Sequence, residues 1–146
     1  VNGDTSIKTF EDRYKGYRQA LVDSHIRLNK EYVVEVLPKI ERSQQATIEL
    51  LQRRPRPDAI FAGNNLITIG VLKAIRQLKL KIPEEIALVG FDDMPWSSEL
   101  CPPITSVASP PSRGGSGENM YSTRQPRRTA LQPRPWRAIA SFTPAS

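Results

Sequence analysis

Cysteine and histidine are almost missing from this 146-residue chain, which has one of each, Cys101 and His25. A single thiol forms no internal disulfide, so a disulfide-stapled secreted scaffold is excluded and a reducing, cytoplasmic compartment is expected. One His and one Cys also leave too few soft ligands for a zinc site, and no metal is expected. No apolar run approaches the roughly 18–20 residues that span a bilayer, so no membrane partner is expected. The polar start VNGDTSIKTFEDR has no apolar signal-peptide core. HExxH, paired CxxC, GxGxxG and GxxxxGK[ST] are all absent, which removes the commonest metal, dinucleotide and phosphate chemistries. Asp92 and Asp93 are adjacent and do not converge on one reacting atom as acid–base catalysis requires. No catalytic residues, no cofactor and no enzyme activity are expected.

Basic charge is present, but unevenly. The chain carries +6 with a pI near 9.8, a balance that raises nucleic acid as a partner. Residues 1–107 hold fifteen basic and fourteen acidic side chains, whereas residues 108–146 hold six Arg, no Lys and only Glu118 as an acid. The basicity therefore belongs to the last 39 residues. That stretch also has six Pro, three Gly and only Leu131 and Ile139 as branched aliphatics, so it is expected to be a disordered, non-homologous tail.

Residues 1–107 alternate between strand and helix patterns. Phe10, Tyr14, Tyr17 and Leu21 recur at helical spacing, predicting a helix from Thr9 to about His25, with Thr9 and Asp12 as a capping-box-like start. His25, near its end, reads as solvated or as satisfying the helix dipole. Tyr32 to Leu37 (YVVEVL) is β-branched and aromatic and ends at Pro38, as a strand does. A second helix is predicted from Ser43 to about Arg54, then a strand over Ala59 to Ala62 (AIFA). A third helix follows over Leu66 to Leu78, and a further strand over Ile86 to Gly90 (IALVG). Strands apolar on both faces, alternating with helices, predict an α/β fold with a parallel sheet covered by helices on both faces. Val1-Asn2-Gly3 reads as the end of a strand, so the chain is expected to open partway through a fold. Ile69 and Leu72 lie off the main apolar stripe of the third helix. They belong either to a deep core or to a face that meets a second subunit or another part of the fold.

Polar residues gather where strands end: Gly63-Asn64-Asn65 after AIFA, and Phe91-Asp92-Asp93 after IALVG. Ligands of open parallel sheets bind beyond the carboxyl ends of the strands. Asn64 donates and accepts and Asp92 accepts, a combination suited to hydroxyl-bearing or amine-bearing ligands. Equally, Gly-Asn-Asn turns a chain and caps a helix.

The stretch RPDAIFAGNNLITIGVLKAIRQLKLKIPEEIALVGFDDMPWSSELCPPITSV, with DRYKGYRQAL upstream, resembles the sensor domain of LacI/GalR-type transcriptional regulators. The resemblance implies one lobe of a periplasmic-binding-protein-like (type I) fold over 1–107, with a small-molecule effector, a sugar, held between two lobes. It implies effector contacts from Arg13, Asn64 and Asp92, with Trp96 stacking on a sugar or covering the cleft mouth. Asn65 stands where the family more often has Asp. The resemblance also implies a homodimer, with Ile69, Leu72 and Leu100 toward the partner. Operator DNA would be bound only through a helix-turn-helix headpiece that these residues do not contain. A solute-binding protein for sugar uptake shares the fold and is the alternative.

Overall fold

The computed structural model describes residues 2–4, 6–92, 104–107, 123–124 and 139–144. Three helices, α1 (Lys8–Asp23), α2 (Ile40–Gln52) and α3 (Asn65–Gln77), alternate with strands β1 (Val33–Glu35), β2 (Ala59–Ala62) and β3 (Ala87–Phe91). Strands β4 (Thr105–Val107), β5 (Thr123–Arg124) and β6 (Ile139–Pro144) complete one sheet of order β1-β6-β2-β3-β4-β5. Every described pairing in it is parallel except β4–β5. The expected α/β class, with its parallel sheet and helices, is the one observed.

The centre of the sheet is the β2–β3 ladder, continuous from Ala59↔Ala87 to Ala62↔Gly90. Alternation along it sends side chains to two layers. Ile60, Ala62 and Leu88 join Leu50 and Leu51 of α2 and Ile67, Val71 and Ile75 of α3 in the main core. Phe61 points the other way and stacks on Tyr17 of α1. Fully burying one such aliphatic side chain stabilises by about 1.5–3 kcal/mol, so this small cluster supplies much of the driving force.

Helices α2 and α3 lie against each other at a close crossing. A Cβ built on Gly70 would fall 2.5 Å from Ser43 Cβ and 2.6 Å from the Ile40 carbonyl. The buried face of α2 is partly polar, and it is satisfied within the helix. Ser43 Oγ donates to the Lys39 carbonyl at 2.9 Å and Thr47 Oγ1 to the Ser43 carbonyl at 2.6 Å. Back-bonding of this kind lets small hydroxyl residues sit in a core.

Helix ends differ from expectation in instructive ways. The N-cap of α1 is Ile7, with no side-chain cap. Thr9 lies inside the helix, and Asp12 pairs with Lys8 at 2.9 Å instead of completing a capping box. Helix α2 begins three residues before Ser43, because the turn at Pro38-Lys39 initiates it directly. The predicted strand at Tyr32 shortens to Val33–Glu35: Asn29 caps a 3-10 turn over Lys30–Tyr32, and the Tyr32 hydroxyl donates to the Pro55 carbonyl. His25 is exposed and left-handed (φ 56). The amides of His25 and Ile26 close α1 onto the Val22 and Leu21 carbonyls, the double-bonded helix stop otherwise favoured by glycine.

Strands β5 and β6 fall in the stretch expected to be disordered. Over 123–124 and 139–144 the chain is in the sheet, with β6 between β1 and β2. Ile139-Ala-Ser-Phe-Thr-Pro is a stretch of the tail free of Arg and Gly and rich in β-formers. The expectation rested on side-chain composition, whereas the pairing of β6 is a backbone ladder between two strands that each need a partner. The fit is short. β6 pairs with β2 at Ala59 and Ile60, and with β1 at Val33 and Glu35 across an irregularity.

Two outcomes follow for stability. Gly70→Ala is expected to cost about 1–3 kcal/mol through overpacking of the α2–α3 crossing, read as a lower urea midpoint at unchanged slope. Deleting residues 139–146 should lower the thermal midpoint and raise binding of an apolar dye, whereas deleting 145–146 alone should do neither.

Candidate functional site

The carboxyl ends of β2 and β3 lie side by side, and α1 crosses above them. This places Arg13, Gly63, Asn64, Phe91 and Asp92 together. Arg13 NH1 donates to the Gly63 carbonyl at 2.6 Å, and NH2 stands 3.7 Å from Asp92 Oδ1. The guanidinium carbon lies 3.9 Å from the centroid of the Phe91 ring and 5.4 Å from that of Phe10. Burial pushes the Arg13 pKa below its ordinary value, with Asp92 acting the other way, and a guanidinium remains charged near neutrality. A cation–π seat and a charge-assisted hydrogen bond together hold this cation in one place.

Asp92 follows β3 with φ 73, a left-handed conformation that Asp and Asn adopt at less cost than most side chains. Its amide donates to the Val107 carbonyl at 3.0 Å, which ties the end of β3 to β4. Asn64 is the N-cap of α3. Its Oδ1 accepts from the Ile67 amide at 2.8 Å, while its carbonyl accepts the Thr68 amide and, at 2.7 Å, Thr68 Oγ1–H. The cap of α3 therefore falls on the same residue that the sequence marks as a candidate contact. With Oδ1 engaged in the cap, the other polar end of this side chain is the Nδ2 donor. Asn65 Oδ1 accepts from the Leu66 amide at 2.7 Å, a local bond within the first turn.

Of the effector contacts expected from sequence, the structure brings Arg13, Asn64 and Asp92 to one edge. Trp96 and Leu100 lie outside the described residues. Ile69 and Leu72 are half-buried on α3, and Leu72 packs partly on the main core.

Sequence reasoning passed over the support beneath the site. Tyr17 and Phe61 stack with centroids 6.4 Å apart, and Phe61 meets the edge of Phe91 at 6.3 Å. An aromatic column thus runs from α1 through β2 to the ring that carries Arg13. Its sequence signal is the aromatic residue near the end of each apolar strand, Phe61 in AIFA and Phe91 after IALVG. Asn2 was also missed. It is fully buried, bridges Glu35 at the end of β1, and donates from Nδ2 to the Phe10 carbonyl at 2.7 Å. Among the described residues its Oδ1 finds no donor.

Three of the large apolar side chains that remain exposed border the same edge: Ile7 before α1, Leu37 after β1 and Leu66 at the start of α3. Among the described residues no three His, Cys, Asp or Glu gather as metal ligands, and no helix is long and apolar enough to cross a membrane. The arrangement can orient polar ligand groups, with Arg13 and Asn64 as donors and Asp92 as acceptor.

Comparison with known proteins agrees with this architecture. The family profile of a periplasmic binding protein-like domain matches residues 1–117, ten residues beyond the Val107 limit suggested by the motifs. The HTH-type transcriptional repressor PurR of Vibrio vulnificus is 29% identical over 115 residues, 79% of this chain and 34% of its own length. The ribose operon repressor of Haemophilus influenzae is 30% identical over 110 residues, 75% of this chain and 33% of its own. Among solved structures, a transcriptional regulator CelR–cellobiose complex is 31% identical with a TM-score of 0.69, covering 75% of this chain and 34% of that one. A sugar-binding LacI-family regulator from Escherichia coli complexed with phosphate is 27% identical with a TM-score of 0.67, covering 73% and 38%. The chain thus spans about a third of the length of the curated relatives it matches, and the names they carry are those of regulators, not enzymes. The chain belongs to the periplasmic binding protein-like domain family, and the relatives and solved structures it resembles include transcriptional repressors and LacI-family regulators.

Proposed function

We propose that this chain is the effector-sensing lobe of a LacI-type transcriptional regulator that acts in the cytoplasm and takes a sugar at the carboxyl edge of β2 and β3. The observation that carries the reading is the convergence of Arg13, Asn64 and Asp92 on that edge, with Arg13 and Asp92 3.7 Å apart. Their chemistry supports a neutral polyol. Asn64 and Arg13 require acceptors, and Asp92, when ionised, requires a donor. A hydroxyl is both. A carboxylate ligand would suit the two donors but would meet Asp92 as a like charge.

Exposed Ile7, Leu37 and Leu66 support a second body over this edge, as in a cleft between two lobes. The effector would favour one closure of that cleft through differential affinity for two states, and so change operator affinity. Operator contact belongs in this reading to a headpiece outside these residues, and the tail beyond Val107 to neither activity. The half-exposed Ile69 and Leu72 support a homodimer face on α3, with Leu100 proposed beside them and Trp96 proposed as a cover for the effector.

One lobe supplies only part of the contacts, so the isolated chain should bind sugars weakly, at about millimolar dissociation constants worth roughly 4 kcal/mol. Amide shifts on titration with a panel of pentoses, hexoses and disaccharides should concentrate at Gly63–Asn65 and Asp92, and should vanish in Asp92→Ala. A panel with no shifts at these residues would overturn the reading, and micromolar affinity by calorimetry would favour a self-sufficient solute-binding site.

Asn64 can be divided experimentally. Asn64→Ala should cost about 1 kcal/mol of stability through loss of the cap. Asn64→Ser should keep the cap but lose the amide donor, leaving the urea midpoint nearly unchanged while the sugar-induced shifts weaken several-fold.

A further inference from the structure

We infer that Gly3 and Asn2 are positioning residues for Arg13 and that they act on it through Phe10. Phe10 and Arg13 stand three residues apart on α1, so their side chains share one face of the helix. The guanidinium carbon lies 5.4 Å from the centroid of the Phe10 ring and 3.9 Å from that of Phe91, both within cation–π reach. Phe91 ends β3 and is placed by the strand. Phe10 lies in the first turn of α1, whose N-cap Ile7 makes no side-chain cap, so its place has to be set from outside the helix.

The opening residues set it. Asn2 is fully buried and pairs in parallel with Glu35, the last residue of β1. Its Nδ2 donates to the Phe10 carbonyl at 2.7 Å, and its own carbonyl accepts the Val36 amide at 3.4 Å. Helix α1 is thereby tied, at Phe10, to the end of β1. Burying this amide costs free energy, because its Oδ1 finds no donor among the described residues. Gly3 then fixes where the ring lies. A Cβ built on Gly3 would fall 2.2 Å from Phe10 Cζ and 2.3 and 2.6 Å from the two Cε atoms, far inside van der Waals contact. The tip of the ring thus occupies the space that any other side chain at position 3 would fill. A ring displaced from there moves relative to Arg13. The guanidinium then loses one aromatic neighbour while Phe91 and the Gly63 carbonyl remain.

The consequence for a ligand rests on the reading of Arg13 as an effector contact, but the positioning is tested without one. The measurement is the Arg13 Nε–Hε resonance of the full 146-residue chain, identified by its loss in Arg13→Lys and sensitive to the ring currents of nearby aromatics. Phe10→Leu removes the Cε and Cζ atoms and should shift this resonance by the contribution of the Phe10 ring. Gly3→Ala should shift it by displacing the ring. In Gly3→Ala/Phe10→Leu the added methyl has no ring tip to meet, so the pair should be non-additive. The double variant should show the Phe10→Leu resonance and recover the stability lost in Gly3→Ala. Gly70→Ala, which overpacks the α2–α3 crossing, should lower stability and leave the resonance in place. A resonance unmoved in Gly3→Ala, or moved by Gly3→Ala equally with and without the Phe10 ring, would overturn the inference. Should Gly3→Ala fail to fold, Asn2→Ala decides, since cutting the tie to the Phe10 carbonyl moves the resonance only if the tie positions Arg13. Where the unmodified chain binds a sugar, Gly3→Ala should weaken binding about two- to fivefold, the equivalent of one cation–π contact, and an unchanged affinity would count against the positioning role. A failed sugar titration with the Arg13 pattern intact would remove the effector reading and leave the positioning standing.

Discussion

The β2–β3 ladder is the constraint from which the rest follows. Four consecutive residue pairs in parallel register put Ala62 beside Gly90, so both strands must end at the same edge and both following loops must start there. Parallel strands also cannot be joined by a tight turn. The connection has to cross over, and α3 does so with its apolar stripe on the sheet. Apolar residues on both faces of β2 then require a second layer, which α1 provides by stacking Tyr17 on Phe61. Arg13 reaches the strand ends only because this packing fixes α1 across them.

The fold was legible where patterns were long and regular. AIFA and IALVG matched β2 and β3 to within a residue, since a fully apolar run between turn signals has few other uses in a chain of this class. Helix α3 was equally readable, from the Asn64 cap to the end of its stripe. Boundaries governed by single hydrogen bonds were not. The 3-10 turn at Lys30–Tyr32 depends on the Asn29 side chain, and the stop of α1 depends on His25 entering a conformation that its residue type does not announce. Strand β6 was hidden for a different reason, because its place is set by the gap between β1 and β2, a property of other residues.

The candidate site was legible in its polar members and illegible in its support. Motif position singled out Arg13, Asn64 and Asp92 as candidates, and the structure brings them to one sheet edge, but motifs say nothing about how an arginine is held. The structure spends NH1 on a backbone carbonyl and the π-face of the guanidinium on Phe91, so only part of that side chain remains for a ligand. Asn64 commits its Oδ1 to the cap of α3 in the same manner, which leaves the amide nitrogen as its donor end. Two competing readings of Gly-Asn-Asn, helix cap and ligand contact, thus turn out to be compatible, because a primary amide has separate donor and acceptor ends.

Charge behaves likewise when it is resolved by place. The excess of arginine lies beyond Val107, whereas residues 1–107 are nearly neutral overall. At the sheet edge what matters is one half-buried cation facing one half-buried anion, with the desolvation of each offset by the other and by Phe91. Such a pair adds little to stability, because removing water from both partners costs much of what their attraction returns. Its value is directional. A neutral, hydroxylated ligand can bridge donor and acceptor without introducing a new charge, whereas a charged ligand satisfies one partner and repels the other. In the proposed sugar reading, selectivity at this edge comes from the balance of the pair, to which the net charge of the chain contributes nothing.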